Sequence, residues 1–168
     1  MRNKRTFVGV ALLIAVLMLG VGYALVGTRT LQIGGDATAS PDDTNFIVEF
    51  DQTDEKKPTG SAGVTAAVTD KDSATIEVTG LTTVGDEATA TYTINNNSNG
   101  IDATLSATTS VTGTNADFFS VSCAFGDTTL EAGKSTTVTV TVRLEKTPVD
   151  GNKTATVGVD LTATAVNN

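Results

Sequence analysis

Apolar and polar residues alternate along most of the chain beyond residue 45. In Thr136–Leu144, valines and a leucine at every second position are separated by threonines and an arginine, and Ala88–Ile94 has the same period. A period of two puts alternate side chains on opposite faces, which is typical of a half-buried antiparallel strand. Similar stretches predict further strands at Phe46–Phe50, Val64–Val68, Ala74–Val78, Asp102–Val111, Phe118–Cys123 and Thr154–Val166.

Polar segments containing Gly, Asn or Pro separate these stretches and predict loops at Asp51–Gly63, Asn95–Gly100, Glu131–Lys134 and Pro148–Lys153. No stretch in this region has the period of a soluble helix. The pattern therefore predicts an all-β fold, an antiparallel β-sandwich of about seven to nine strands, either jelly-roll or Ig-like. The core is predicted to include Phe46, Phe50, Ile76, Tyr92, Ile94, Leu105, Val138, Val140, Val142 and Leu161.

The N-terminus has a different pattern. Basic residues in Met1–Arg5 precede the uncharged apolar run Phe7–Leu19 and then small residues, which is the organisation of a secretory signal peptide. Gly22 and Ala24 occupy the two positions that a signal peptidase reads, so residues 1–24 are predicted to be removed and Leu25 to begin the mature chain. The alternative is an uncleaved anchor, because residues 7–26 are long enough to span a bilayer. The C-terminal part is exported in both cases.

Composition narrows the choice of function. The net charge of −8 argues against binding to nucleic acid or to anionic lipid, both of which require basic residues. The chain contains no His and a single Cys, Cys123, so it forms no internal disulfide. Cys123 is predicted to be a buried strand residue, and a link between molecules is the alternative.

Candidate chemistry is sparse, and no catalytic, cofactor-binding or metal-binding residues are predicted. Without His there is neither a zinc-peptidase motif nor the commonest general base. The acidic pairs in predicted turns are expected to be solvated. Asp70, Asp72 and Ser40–Asp43 offer oxygen ligands for calcium, but they lack the glycine and terminal glutamate of an EF-hand loop.

Three segments together resemble a known family. Gly20–Ala24 followed by Thr30–Ala39 is similar to the N-terminus of proteins processed by SipW-type signal peptidases of Gram-positive bacteria. Val78–Ser98 and Leu130–Val138 are similar to later turn-and-strand segments of the TasA/camelysin family of biofilm matrix fibre subunits. Camelysin-type proteins have been classed as metallopeptidases, but this chain has no residues for that chemistry.

The resemblance implies a jelly-roll domain, export to the extracellular matrix or cell surface of a Gram-positive bacterium, and homopolymerisation into fibres by donor-strand exchange. Residues 1–24 are then the signal peptide, 25–35 a donor strand with a glycine hinge, and 36–168 the domain. The implied partners are other copies of the chain and a signal peptidase during export, with membrane contact only through the N-terminal segment before cleavage. The polymerisation residues are predicted to be Leu25, Val26, Leu31, Ile33, Gly34 and Gly35.

Two alternatives stay open at this point. Residues 25–33 could pair with their own sheet, because terminal strands often dock in the same chain. The protein would then be a monomeric secreted or membrane-tethered domain for surface binding or adhesion. Arg29 interrupts the apolar positions of the predicted donor, since it alternates with Gly27 and Leu31.

Overall fold

The fold is all-β, as the alternating pattern predicts. The computed structural model describes residues 45–53 and 57–166, together with the backbone of residues 13–18 and 28–31. These residues contain no α-helix and form twelve strands. The strands are β1 (Leu13–Met18), β2 (Thr28–Leu31), β3 (Val48–Phe50), β4 (Thr59–Gly60), β5 (Val64–Asp70), β6 (Ser73–Val78), β7 (Glu87–Asn96), β8 (Asp102–Thr112), β9 (Phe119–Phe125), β10 (Thr129–Leu130), β11 (Ser135–Leu144) and β12 (Thr156–Val166).

The strands form two sheets. The first has the order β10-β8-β12-β1-β6-β5, and β2 also pairs with β12. The second has the order β3-β7-β11-β9, and β4 also pairs with β7. Every pairing is antiparallel except that of β1 with β12, which is parallel. The strand number exceeds the prediction because of β4 and β10, which have only two residues each, and of β1; β2 lies within the strand predicted at residues 25–33.

One buried cluster takes side chains from both sheets, and every residue predicted for the core lies in it. On β7 and β11 each second residue is buried, which confirms the predicted inward and outward rows. The Tyr92 ring of the second sheet packs against Phe50 with 5.8 Å between ring centroids. Its hydroxyl donates a hydrogen bond of 2.9 Å to the backbone oxygen of Thr75 in the first sheet. The two sheets are therefore joined by both packing and a buried polar contact.

Several predicted segment boundaries are wrong. The strand predicted at Phe118–Cys123 is β9, Phe119–Phe125, and the one predicted at Thr154–Val166 begins two residues later, with β12. The strand predicted at Phe46–Phe50 begins two residues later, with β3. The backbone N–H of Ile47 instead donates to Oγ of Ser98 at 2.8 Å, so a side chain satisfies it rather than a neighbouring strand. The predicted loop Asp51–Gly63 contains Thr59–Gly60, which pair with the middle of β7.

The segment Asn95–Gly100 also differs from the prediction of a continuous turn. β7 runs through Asn96, and Gly100 is the one residue of the segment with a left-handed backbone, at φ +74°. Asn96 is fully buried. Its Nδ2 donates to the backbone oxygens of Ile101 and Leu130, both at 2.9 Å, and its Oδ1 accepts from the N–H of Ser98 at 3.1 Å. Because Leu130 lies in β10, this side chain links the second sheet to the first.

Candidate functional site: a strand-wide slot between β6 and β12

The feature that bears on function lies in the middle of the first sheet. β6 pairs with β5 along one edge and with β1 along the whole of the other, from Leu13 opposite Val78 to Met18 opposite Ser73. β1 lies inside the segment that the sequence predicts to be a signal peptide. A strand of that segment therefore completes the sheet of the folded domain.

β12 forms the other wall. One of its edges pairs with β8 over eleven residues, from Thr156 to Val166. Two N-terminal strands pair with its second edge at different places. β1 pairs with Thr156 and Val157, and β2 pairs with Leu161–Thr164. We call the space that β1 fills between β6 and β12 the central slot. From strand spacing and rise, it is about 10 Å wide and about 20 Å long.

The walls of the central slot have one apolar row and one polar row. On β6, Ala74, Ile76 and Val78 are buried, and the residues between them are partly exposed. On β12, Val157, Val159 and Leu161 are buried. Because residues opposite each other in a sheet share a face, a strand in the slot needs apolar residues at alternate positions.

The β6 wall has anchors that do not involve β1. The Tyr92 hydroxyl holds the backbone of Thr75, and burial raises the pKa of that hydroxyl, so it stays protonated and able to donate. The N–H of Phe50 donates to the backbone oxygen of Lys71 at 2.8 Å, in the turn between β5 and β6. Thr79 donates its N–H to Gly63 at 2.8 Å. The first two bonds tie the β5–β6 hairpin to the second sheet, and the third closes the open end of the hairpin itself, so the wall remains attached without a filling strand.

Most residues predicted for processing and polymerisation fall outside the part that the structure describes; these are Gly22, Ala24, Leu25, Val26, Ile33, Gly34 and Gly35. Leu31 lies at the end of β2, opposite Leu161 of the same chain. Arg29 lies opposite Ala163, a fully buried position. The single chain thus shows the pairing of Thr28–Leu31 with its own sheet.

The acidic turn residues have structural partners. The Asp86 carboxylate accepts the backbone N–H groups of Thr82 and Thr83, both at 2.8 Å, and these bonds lower the pKa of Asp86. Glu87 pairs with Arg143 at 3.2 Å. Within residues 45–53 and 57–166 there is no group of three or more Cys, Asp or Glu residues that could hold a metal ion. Of the proposed calcium ligands, Ser40–Asp43 lie outside the described residues.

Cys123 lies on a strand, β9, as predicted, but it is half-buried rather than fully buried, and it is free of a disulfide. Burial raises the pKa of its thiol to about 11. The neutral thiol is a poor nucleophile, so this residue behaves as a packing group.

The sequence reasoning missed two elements of the site. It interpreted Leu13–Met18 as part of a signal peptide or of an uncleaved membrane anchor, although an apolar run is also consistent with a strand buried in a sheet. It also gave no sign that the edges of β6 and β12 face each other, because that arrangement depends on chain topology.

No helix among the described residues is long and apolar enough to cross a membrane. Comparisons with protein-family models, with curated proteins and with solved structures returned no match.

Proposed function

We propose that this protein is an exported structural subunit that polymerises into extracellular biofilm matrix fibres by donor-strand exchange, with its two sheets forming a jelly-roll sandwich. The observation that carries the proposal is the central slot. In the single chain it is filled by residues that cleavage after Ala24 would remove. The mature subunit would then expose the edge of β6 along its whole length, together with part of the edge of β12.

An open slot of this kind favours association. Unpaired strand edges are templates for pairing with another chain, and proteins normally cover or blunt them. The walls of the slot are two edges with a buried apolar row between them, so an added strand gains backbone hydrogen bonds on both sides and apolar contacts on one face. Another copy of the chain can supply such a strand through its own N-terminal segment.

The walls also restrict which donor residues fit. The apolar row of β6 needs apolar side chains at alternate donor positions. Within residues 25–35, Leu31 and Ile33 are large apolar residues two positions apart, so they share one face of a strand, and Gly35 takes the next position on that face. We place Leu31 and Ile33 of one subunit opposite the apolar row of the next, with Arg29 at or beyond the end of the slot.

The acidic composition is compatible with an extracellular role. Loss of Arg2, Lys4 and Arg5 with the signal peptide changes the net charge from −8 to −11. We propose that the subunit has no nucleic-acid partner and contacts the membrane only before cleavage. We propose no catalytic activity, because the chain has no His and the pKa of its one thiol is raised.

A monomeric surface-binding or adhesion domain is the second candidate. The observation that favours it is the pairing of β2 with Leu161–Thr164 of the same chain. In that case residues 25–33 stay docked in their own subunit and no fibre forms.

Electron microscopy of two purified chains separates the candidates. The chain 25–168 should form fibres, whereas the chain 34–168, which lacks the donor, should fold and stay monomeric. Within the chain 25–168, Leu31→Asp should block fibre formation, and Gln32→Asp, one position away on the other row, should block it less. Fibres of normal length from the chain 34–168 would show that the linkage lies elsewhere, and a monomeric chain 25–168 would favour the second candidate.

A further inference from the structure

We propose that residues 13–18 are a placeholder that closes the central slot in the uncleaved chain, so that proteolysis after Ala24 activates the subunit for polymerisation as well as releasing it. The inference has two halves: residues 13–18 occupy the slot, and their removal permits polymerisation. The second, regulatory half rests on the proposed function. Occupation of the slot by these residues does not rest on it.

The pairing geometry is the first support. β1 covers all six residues of β6 and also reaches Thr156 and Val157 of β12. It runs antiparallel to β6 and parallel to β12, so it pairs with both walls at once. A donor strand from another subunit would need the same backbone groups of β6, so the two cannot occupy the slot together.

The residue types are the second support. β1 has the sequence Leu-Ile-Ala-Val-Leu-Met and carries no charge. In the register of β1 with β6, Leu13, Ala15 and Leu17 lie opposite the buried row of β6, so every β1 position in that row is apolar. In the candidate donor at residues 25–33, Arg29 lies in the same row as Leu31 and Ile33, so the donor suits the buried row less well. The placeholder should therefore bind the slot at least as well as the donor does.

Tethering adds to this advantage. A segment carried on the same chain as its binding site reaches an effective concentration on the order of millimolar. At micromolar subunit concentrations, a donor of equal intrinsic affinity would be outcompeted about 1000-fold. The uncleaved chain should therefore resist polymerisation until the placeholder is removed.

The placeholder and a membrane span exclude each other. The same residues cannot lie in a bilayer and in the slot at one time. The inference therefore concerns uncleaved chain that is free of the membrane, and the test uses full-length protein refolded without lipid or detergent.

A disulfide reports directly on slot occupation. Val16 lies opposite Thr75, and Cα atoms of opposed residues are about 4.5–5.5 Å apart, within disulfide reach. With Cys123→Ser to remove the native thiol, Val16→Cys plus Thr75→Cys should oxidise to an intramolecular disulfide, detected by mass spectrometry of peptides. The matched control joins Val16→Cys to Thr139→Cys on the second sheet, and it should form no intramolecular bond. Absence of the disulfide in the first variant would overturn the placeholder.

Polymerisation reports on regulation. At equal concentration, the full-length chain should remain monomeric by sedimentation while the chain 25–168 forms fibres. Reduction of the Val16→Cys/Thr75→Cys disulfide should not release fibres, because the intact N-terminus still occupies the slot.

The failures are distinguishable. If the full-length chain polymerises as readily as the chain 25–168, the regulatory half is wrong and the proposed function stands. If the chain 25–168 stays monomeric, polymerisation is refuted and the regulatory half fails with it, while the disulfide still decides whether residues 13–18 fill the slot.

Discussion

Replacement of Asn96 by alanine should destabilise the domain much more than the same change at its neighbour Asn97. The Asn96 side chain is fully buried and makes three hydrogen bonds, to the backbone of Ile101, Leu130 and Ser98. The Asn97 side chain is exposed and makes one, from its Nδ2 to Glu49. The two substitutions remove the same chemical group from adjacent positions, so their difference isolates the effect of burial.

The magnitude follows from the bonds lost. A hydrogen bond contributes about 0.5–1.5 kcal/mol net, and an acceptor left buried without a partner costs about 1–3 kcal/mol. Asn96→Ala removes three bonds, and two backbone oxygens lose the donor that Asn96 provides. The free energy of unfolding should therefore fall by about 3 kcal/mol. Surface substitutions usually change it by no more than about 0.5 kcal/mol, which is the expectation for Asn97→Ala.

Urea unfolding of the full-length chain, followed by far-UV circular dichroism, measures both values. Asn96→Asp provides a further check, because a carboxylate cannot donate to the two backbone oxygens. Burial should raise the pKa of that carboxyl, so its destabilisation should be greatest near pH 7 and should decrease as the pH falls and the group becomes protonated. Equal losses for Asn96→Ala and Asn97→Ala would refute the role of the buried side chain in joining the sheets.

Three further substitutions test the core, a turn and the thiol. Val140→Asp should lower the free energy of unfolding by about 4 kcal/mol, because it removes a buried apolar side chain and buries a carboxyl. Thr137→Asp, on the exposed row of the same strand, should lower it by about 1 kcal/mol or less. Similar losses for the two variants in urea unfolding would contradict the assignment of the buried and exposed faces of β11. Gly63 and Gly151 have similar backbones, φ +78° and +77°, but a Cβ at Gly63 would lie 2.3 Å from the backbone oxygen of Thr79 and one at Gly151 would meet no atom within 4 Å. Gly151→Ala should lower the free energy of unfolding by about 1–2 kcal/mol, from backbone strain alone. Gly63→Ala should therefore lower the melting temperature more than Gly151→Ala does. The reverse order would contradict the turn geometry. Burial raises the pKa of Cys123 from 9.0 to about 11, so the unfolded chain ionises first as the pH rises. The stability that the buried neutral thiol contributes is complete below pH 9 and is lost as the pH rises towards 11. Cys123→Ala should remove this loss of stability between pH 9 and pH 11. An identical dependence of stability on pH in the variant would show that the thiol is not responsible.

The sequence predicted most of the β-structure because its strands are mainly half-buried. In β7 and β11, threonine alternates with apolar residues over the whole strand, and period and residue type indicate the same structure. The predicted core residues are buried for the same reason. Processing and polymerisation at residues 22–26 and 33–35 stay predictions, since they lie outside the described residues.

Segments whose local pattern fits two structures were predicted less well. Leu13–Met18 is uniformly apolar, and such a run suits a signal peptide, a membrane span and a buried strand equally. Asn95 and Asn96 have the residue type of a turn, yet both lie in β7. Asn96 is tolerated there because the backbone oxygen of Leu130 in β10, 34 positions away in the sequence, accepts a hydrogen bond from its amide.

The sequence by itself determined which residues form the alternating strands, such as β7 and β11, and which side of each is buried, because alternation is a local property of the chain. Only the tertiary structure decided which strands are neighbours, and therefore that the edges of β6 and β12 face each other across one strand's width. Strand order depends on contacts between residues far apart in sequence, and backbone hydrogen bonds carry no residue identity by which such neighbours could be recognised. The central slot is a property of that order, and for this reason no local motif revealed it.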